Sequence, residues 1–150
     1  MKKLILILFA CFLTANIAFC EELPKPGQGG IITKEKNPVY YSYIETYALQ
    51  LKNAFYKSGY RRNHMGTSYD YVIKRDGTIC NLKRDLYDSK KLTKIVKQII
   101  INNPPPPFYD GMDIDEFNIT VFMGTENYEE FKFKYYPRDN LFWINIIKKQ

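Results

Sequence analysis

The spacing of apolar residues predicts two helices that each present one apolar face. In both segments the apolar residues recur at steps of three and four, which places their side chains on one side of a 3.6-residue helix. The first series is Tyr40, Ile44, Tyr47, Ala48, Leu51 and Phe55, and the second is Leu92, Ile95, Val96, Ile99 and Ile100. We expect the first helix to end at Gly59. The second is expected to begin at the capping pair Asp88-Ser89 and to end at the proline run 104–107, because proline cannot continue a helix.

Strict alternation of apolar and polar residues predicts strands elsewhere in the chain. Residues 68–75 alternate, and Asp76-Gly77 separates them from a second strand-like run at 78–84; this pair is typical of a β-hairpin with a type I′ turn. Residues 116–122 alternate in the same way and form a predicted third strand. Residues 131–136 and the apolar run 141–147 flank a turn-like sequence at 137–140, which favours a closing hairpin. The last run is also compatible with a docking helix, because a short apolar run does not distinguish the two.

The order helix, strand, strand, helix, strand predicts a two-layer α+β domain. The hairpin makes strands 1 and 2 antiparallel, and the second helix returns the chain so that strand 3 runs parallel to strand 2. Placing strand 3 beside strand 1 gives an antiparallel sheet of order 2-1-3, with both helices on one face. The C-terminal extension, from about residue 123, adds the closing hairpin.

The N-terminal segment predicts export. Met1-Lys2-Lys3 precedes ten apolar residues, which is the layout of a secretory signal peptide over residues 1–20. Residues 21–38 contain several prolines and glycines and read as a linker, so the domain is expected over residues 39–150. We expect a periplasmic or extracellular protein, with membrane attachment only if Cys20 carries a lipid.

Composition excludes much enzyme chemistry. One histidine, His64, rules out a multi-histidine metal centre, and three cysteines without a C-x-x-C pair do not suggest a zinc site. Without Lys2 and Lys3 of the predicted signal peptide, the formal net charge falls from +6 to +4 (20 basic less 16 acidic side chains), which is too mild to demand nucleic acid. We therefore expect no metal, no cofactor, no nucleic acid and no catalytic residue.

The order and spacing of these motifs resemble the C-terminal domain of the TonB/TolA class of bacterial envelope proteins. The matching pieces cover most of the predicted domain. They are the first helix, the strand and turn 69–79, the second helix with its proline run Pro104-Pro105-Pro106-Pro107-Phe108, and the strand 117–122.

The resemblance implies a non-enzymatic module that binds a periplasmic or outer-membrane protein by adding a partner strand to a sheet edge. Such an edge presents unpaired N–H and C=O groups to a second chain. Carried over by position, the partner-binding residues are Phe117, Asn118, Ile119, Thr120, Val121 and Phe122. The chain departs from the family in having a cleavable signal and a short linker. If residues 129–136 pair with strand 3, the free edges become strand 2 and the last strand.

Two alternatives remain from the sequence. Aromatic residues alternate with lysines over 131–136, which suits stacking on cell-wall glycans; alternatively, the rings face the core and the lysines face solvent. A small hydrolase built on His64 and the acidic residues Asp110, Asp113, Asp115 and Glu116 is the other alternative, although a solvated acidic loop is the favoured explanation of those acidic residues.

Overall fold

The chain forms an α+β domain with two helices and a five-stranded mixed sheet. The computed structural model describes residues 23–25, 32–62, 64–87 and 89–150, so the predicted signal peptide and much of the predicted linker lie outside the described residues. The elements in chain order are α1 (Pro38–Lys57), β1 (Met65–Lys74), β2 (Ile79–Tyr87), α2 (Lys90–Asn102), β3 (Glu116–Glu126), β4 (Glu130–Tyr136) and β5 (Leu141–Lys149). A single 3₁₀ turn, Pro137–Asp139, joins β4 to β5.

The helices follow their predicted stripes. Every member of the first apolar series is fully buried, and in the second only Ile95 is left half-buried. Ser89 is the N-cap of α2, where its Oγ accepts a hydrogen bond from the backbone N–H of Leu92 at 3.4 Å. Ile32, in the segment before α1, also belongs to the core. The predicted linker thus contributes packing close to the point where the helix begins.

The sheet has the strand order β2-β1-β3-β5-β4. The first three strands pair antiparallel in the predicted order 2-1-3. The prediction of an antiparallel sheet is wrong for the whole sheet, because β5 pairs with β3 in parallel. The closing hairpin is present, since β4 and β5 pair antiparallel across the turn at residues 137–140, and the docking-helix alternative is wrong for 141–147.

Both helices cover the same face of the sheet, which we call the helix face. On β1, the Tyr71 hydroxyl lies 2.8 Å from that of Tyr47 in α1, and the Tyr69 hydroxyl donates to the Thr93 carbonyl in α2 at 3.2 Å. Tyr69 and Tyr71 are two residues apart on one strand, so they point to the same side. No described helix covers the opposite face, which we call the open face.

The hairpin between β1 and β2 is confirmed, but its predicted turn type is wrong. Only Gly77 of the Asp76-Gly77 pair has a positive φ, of 83°, whereas a type I′ turn needs two such residues. The connection has four residues rather than two, and the N–H of Gly77 donates to the Lys74 carbonyl at 2.8 Å. The Asp76 carboxylate accepts from the N–H of Thr78 at 2.9 Å, which closes the longer turn.

Candidate functional site

The six residues that the resemblance marks for partner binding lie in the interior of the sheet. They belong to β3, which is paired with β1 on one side and with β5 on the other along this whole stretch. Phe117, Ile119 and Val121 are buried on the helix face. Asn118, Thr120 and Phe122 lie on the open face, where only Asn118 is exposed. These residues present no free strand edge in this structure, because β5 fills the outer side of β3. The alternative in which residues 129–136 pair with strand 3 is wrong, since β4 pairs with β5 instead.

The two edges of the sheet are β2 and β4, whereas the sequence expectation placed the second edge at the last strand. The order follows from composition, because β5 (LFWINIIKK) has buried residues on both of its faces while β4 alternates apolar with lysine. A strand that is apolar on both sides suits the interior of a sheet. The apolar run 141–147 is visible in the sequence, but it does not say which strands β5 pairs with.

The β2 edge is irregular. Its pairing with β1 shifts twice, and each shift places one extra residue on β2. The second shift includes Asn81, whose φ of 57° is outside strand geometry. Bulges, positive φ and consecutive charged residues are the devices by which edge strands avoid pairing with another chain.

The β4 edge is regular. Its pairing with β5 runs without a shift from Glu130 opposite Ile147 to Tyr136 opposite Leu141. All seven residues therefore keep their N–H and C=O groups in straight alternation between β5 and the outer side. Pro137 follows the strand rather than interrupting it. No described strand pairs with the outer side, which makes β4 the better template for a partner strand.

A polar and aromatic cluster attaches the start of β4 to α1. The Tyr56 hydroxyl donates to the Glu129 carboxylate at 2.8 Å, and the Lys52 ammonium lies 3.2 Å from the same carboxylate. The ammonium of Lys52 also lies 5.1 Å from the ring centroid of Phe131, in cation–π range. The hydrogen bond from Tyr56 and the charge of Lys52 lower the pKa of Glu129. The cluster thus holds the first residues of β4 against the helix.

The open face carries a shallow depression of about 440 Å³ between β1, β2 and β3. Its polar groups are largely paired: Thr120 Oγ1 donates to the Asp70 carboxylate at 2.6 Å, and the side-chain amide of Asn118 donates to the Asp139 carbonyl at 3.0 Å. The residues that line it are Asp70, Tyr71, Val72, Asn81, Lys83, Asn118, Ile119, Thr120, Asp139 and Leu141.

The histidine and the acidic loop of the hydrolase alternative lie at opposite ends of the sheet. His64 directly precedes β1 and contacts Glu126 at 2.6 Å, while Asp115 bonds to Arg75 just beyond the other end of β1, at 3.2 Å. Ten strand residues separate the two ends, which is about 33 Å at 3.3 Å per residue. These groups do not share a site. Among the described residues, no group of three or more His, Cys, Asp or Glu side chains is placed to hold a metal ion.

The rings of residues 131–136 are divided between the two faces. Phe131 and Phe133 are half-buried and Tyr135 is buried on the helix face, while Lys132 and Lys134 are exposed. The interpretation with rings inward and lysines outward is confirmed. Only Tyr136, with 42% of its surface exposed, is left as an open ring for the glycan-binding alternative.

Comparison with known proteins yields no match: no family model, no curated protein and no solved structure matches the chain. The resemblance to the TonB/TolA class therefore stays a prediction. In the part of the chain that the structure describes, no helix has the length and apolarity needed to cross a membrane.

Proposed function

We propose that this domain is a non-enzymatic protein-binding module of the bacterial cell envelope that accepts a partner strand at the β4 edge. The observation that carries the proposal is the regular, unbulged outer side of β4 at the end of the sheet. The order of motifs in the sequence resembles the TonB/TolA class. This resemblance supports both the mode of binding and an exported envelope protein as the partner. The edge differs from the one that the resemblance implies, because β5 fills the outer side of β3.

The physical basis is the set of backbone groups that β4 leaves unpaired. A seven-residue edge strand is about 24 Å long. Three or four of its residues direct both their N–H and their C=O groups outward, where a second chain can bind them. The cluster of Lys52, Tyr56 and Glu129 holds this strand in place before a partner arrives. A prearranged edge loses less conformational entropy on binding than a mobile one.

Site-specific photo-crosslinking in the producing cell tests the proposal. The photoreactive residue p-benzoylphenylalanine replaces Lys132, Lys134 or Tyr136. These residues occupy alternate positions of β4 and their side chains lie on the open face. A matched control carries it in place of Leu86, which is similarly exposed (44%) on the β2 edge. We expect one envelope protein to be captured from all three β4 positions, at partner residues that step by two. Capture from Leu86 alone, or contact points without that step, would refute strand addition at β4.

A further inference from the structure

The two sides of the β4 edge offer a partner different chemistry. Residues at alternate positions belong to opposite faces, so Phe131, Phe133 and Tyr135 border the helix face and Glu130, Lys132, Lys134 and Tyr136 border the open face. A strand added beside β4 has the same alternation. Its side chains on the helix face therefore lie next to rings, and two of those on the open face lie next to lysines.

On the helix face, the neighbours of an added strand are apolar. Phe133 packs against Tyr41 of α1 with a centroid distance of 5.0 Å, and both rings are only half-buried. Phe131 is also half-buried, beneath the ammonium of Lys52. An apolar side chain on the partner strand would cover the remaining exposed surface of these rings, which the hydrophobic effect favours.

On the open face, the neighbours are cationic. Lys134 is exposed and forms no ion pair within the described chain. Lys132 pairs with Glu130, which also accepts a hydrogen bond from the side chain of Asn145. Opposite charges on directly facing strand residues stabilise a pair, and like charges destabilise it. Acidic side chains are therefore favoured at the positions that face the two lysines.

The lysines disfavour a second copy of the chain in the register centred on Phe133. When two β4 strands pair antiparallel about Phe133, Lys132 of each strand lies directly opposite Lys134 of the other. The like charges then oppose each other twice, which disfavours the pair. In this register, the same lysines that favour an acidic strand oppose self-association.

We infer that the β4 edge selects a partner strand in which apolar residues alternate with acidic ones. This selectivity rests on the proposed strand addition, since the residues of the partner face Lys132 and Lys134 only if the two strands pair. It identifies the partner by sequence pattern: an extended segment of about seven residues with Asp or Glu at the two alternate positions that face Lys132 and Lys134.

Two capped peptides provide the test, one of alternating valine and glutamate and one of alternating valine and lysine, each seven residues long. Binding to the purified protein is followed by amide chemical shifts and by hydrogen exchange along β4. The acidic peptide places two opposite charges, and the basic peptide two like charges, opposite Lys132 and Lys134. This corresponds to about a tenfold difference in affinity at low salt, and the difference shrinks as salt screens the charges. We expect the acidic peptide to bind more tightly by this factor.

Matched variants assign the preference to β4. Lys134→Gln is expected to reduce the preference to about threefold, because one of two facing pairs is lost. Lys83→Gln, which removes an exposed lysine from the open face of β2, is expected to leave it unchanged. Equal binding of both peptides with protection of alternate β4 amides would overturn the charge selectivity and keep strand addition. If neither peptide protects β4, both proposals are wrong.

Discussion

Replacing Gly77 with alanine should destabilise the domain by about 2 to 5 kcal/mol. The φ of Gly77 is 83°, in the left-handed region, where an alanine costs about 1 to 2 kcal/mol. A Cβ at this position would lie 2.6 Å from the Pro105 carbonyl oxygen and 3.1 Å from the carbonyl carbon of Pro106. Both contacts are backbone atoms, which no side-chain rotation can relieve, so the proline run must shift at a further cost of about 1 to 3 kcal/mol.

Gly59→Ala provides the matched control. Gly59 also has a positive φ, of 67°, but an added Cβ there meets no atom within 4 Å. Only the backbone cost of about 1 to 2 kcal/mol then applies. Urea unfolding of both variants, followed by far-UV circular dichroism and linear extrapolation, measures the difference. If Gly77→Ala costs no more than Gly59→Ala, the proline run does not pack on the hairpin and the reasoning is wrong.

Three further predictions concern the core, the cluster at β4 and the charged edge. Tyr71→Phe leaves the buried Tyr47 hydroxyl unpaired and should cost about 1 to 3 kcal/mol in urea unfolding; if the double variant Tyr47→Phe/Tyr71→Phe costs the full sum of the single changes, the two hydroxyls do not interact. The contacts with Tyr56 and Lys52 lower the pKa of Glu129 below its ordinary value of 4.5. These contacts therefore stabilise the fold fully above pH 4.5, and the stabilisation is lost as the pH falls through the lowered pKa. Tyr56→Phe should raise this pKa toward 4.5 in a carboxyl-carbon NMR titration, and an unmoved titration would contradict the hydrogen bond. Lys134→Glu should promote dimerisation, measured by sedimentation at low salt, because Lys132 then faces the introduced carboxylate; a variant that stays as monomeric as the parent would contradict the charge barrier.

Local pattern predicts most of the elements of this fold because each depends on residues close together in the chain. The apolar stripe of α1 and the Ser89 cap of α2 are local signals, and both appear in the structure. The order 2-1-3 follows from one hairpin and one returning helix. The turn at Asp76-Gly77 is less predictable, since loop length and the packing of the proline run on Gly77 select its geometry.

The position of β5 is a long-range property that local pattern does not determine. Only three residues, 127–129, join β3 to β4, a length that normally produces adjacent strands. In this sheet, however, β5 lies between β3 and β4. The reason is burial, because Phe142, Ile144 and Ile146 are buried on the helix face and Ile147 is buried on the open face. At the edge of the sheet, β5 would expose more apolar surface to water than β4 does. The residues predicted for partner binding are thereby enclosed.

Hydrogen exchange along β4, with and without the captured partner, tests strand addition most directly. In the free protein, every second amide of Glu130–Tyr136 points outward and should exchange rapidly, while the alternate amides are protected by β5. Binding should slow the outward set by at least tenfold and leave the amides of β2 unchanged. Uniform slowing of the whole strand, or protection that appears on β2 instead, would contradict strand addition at β4.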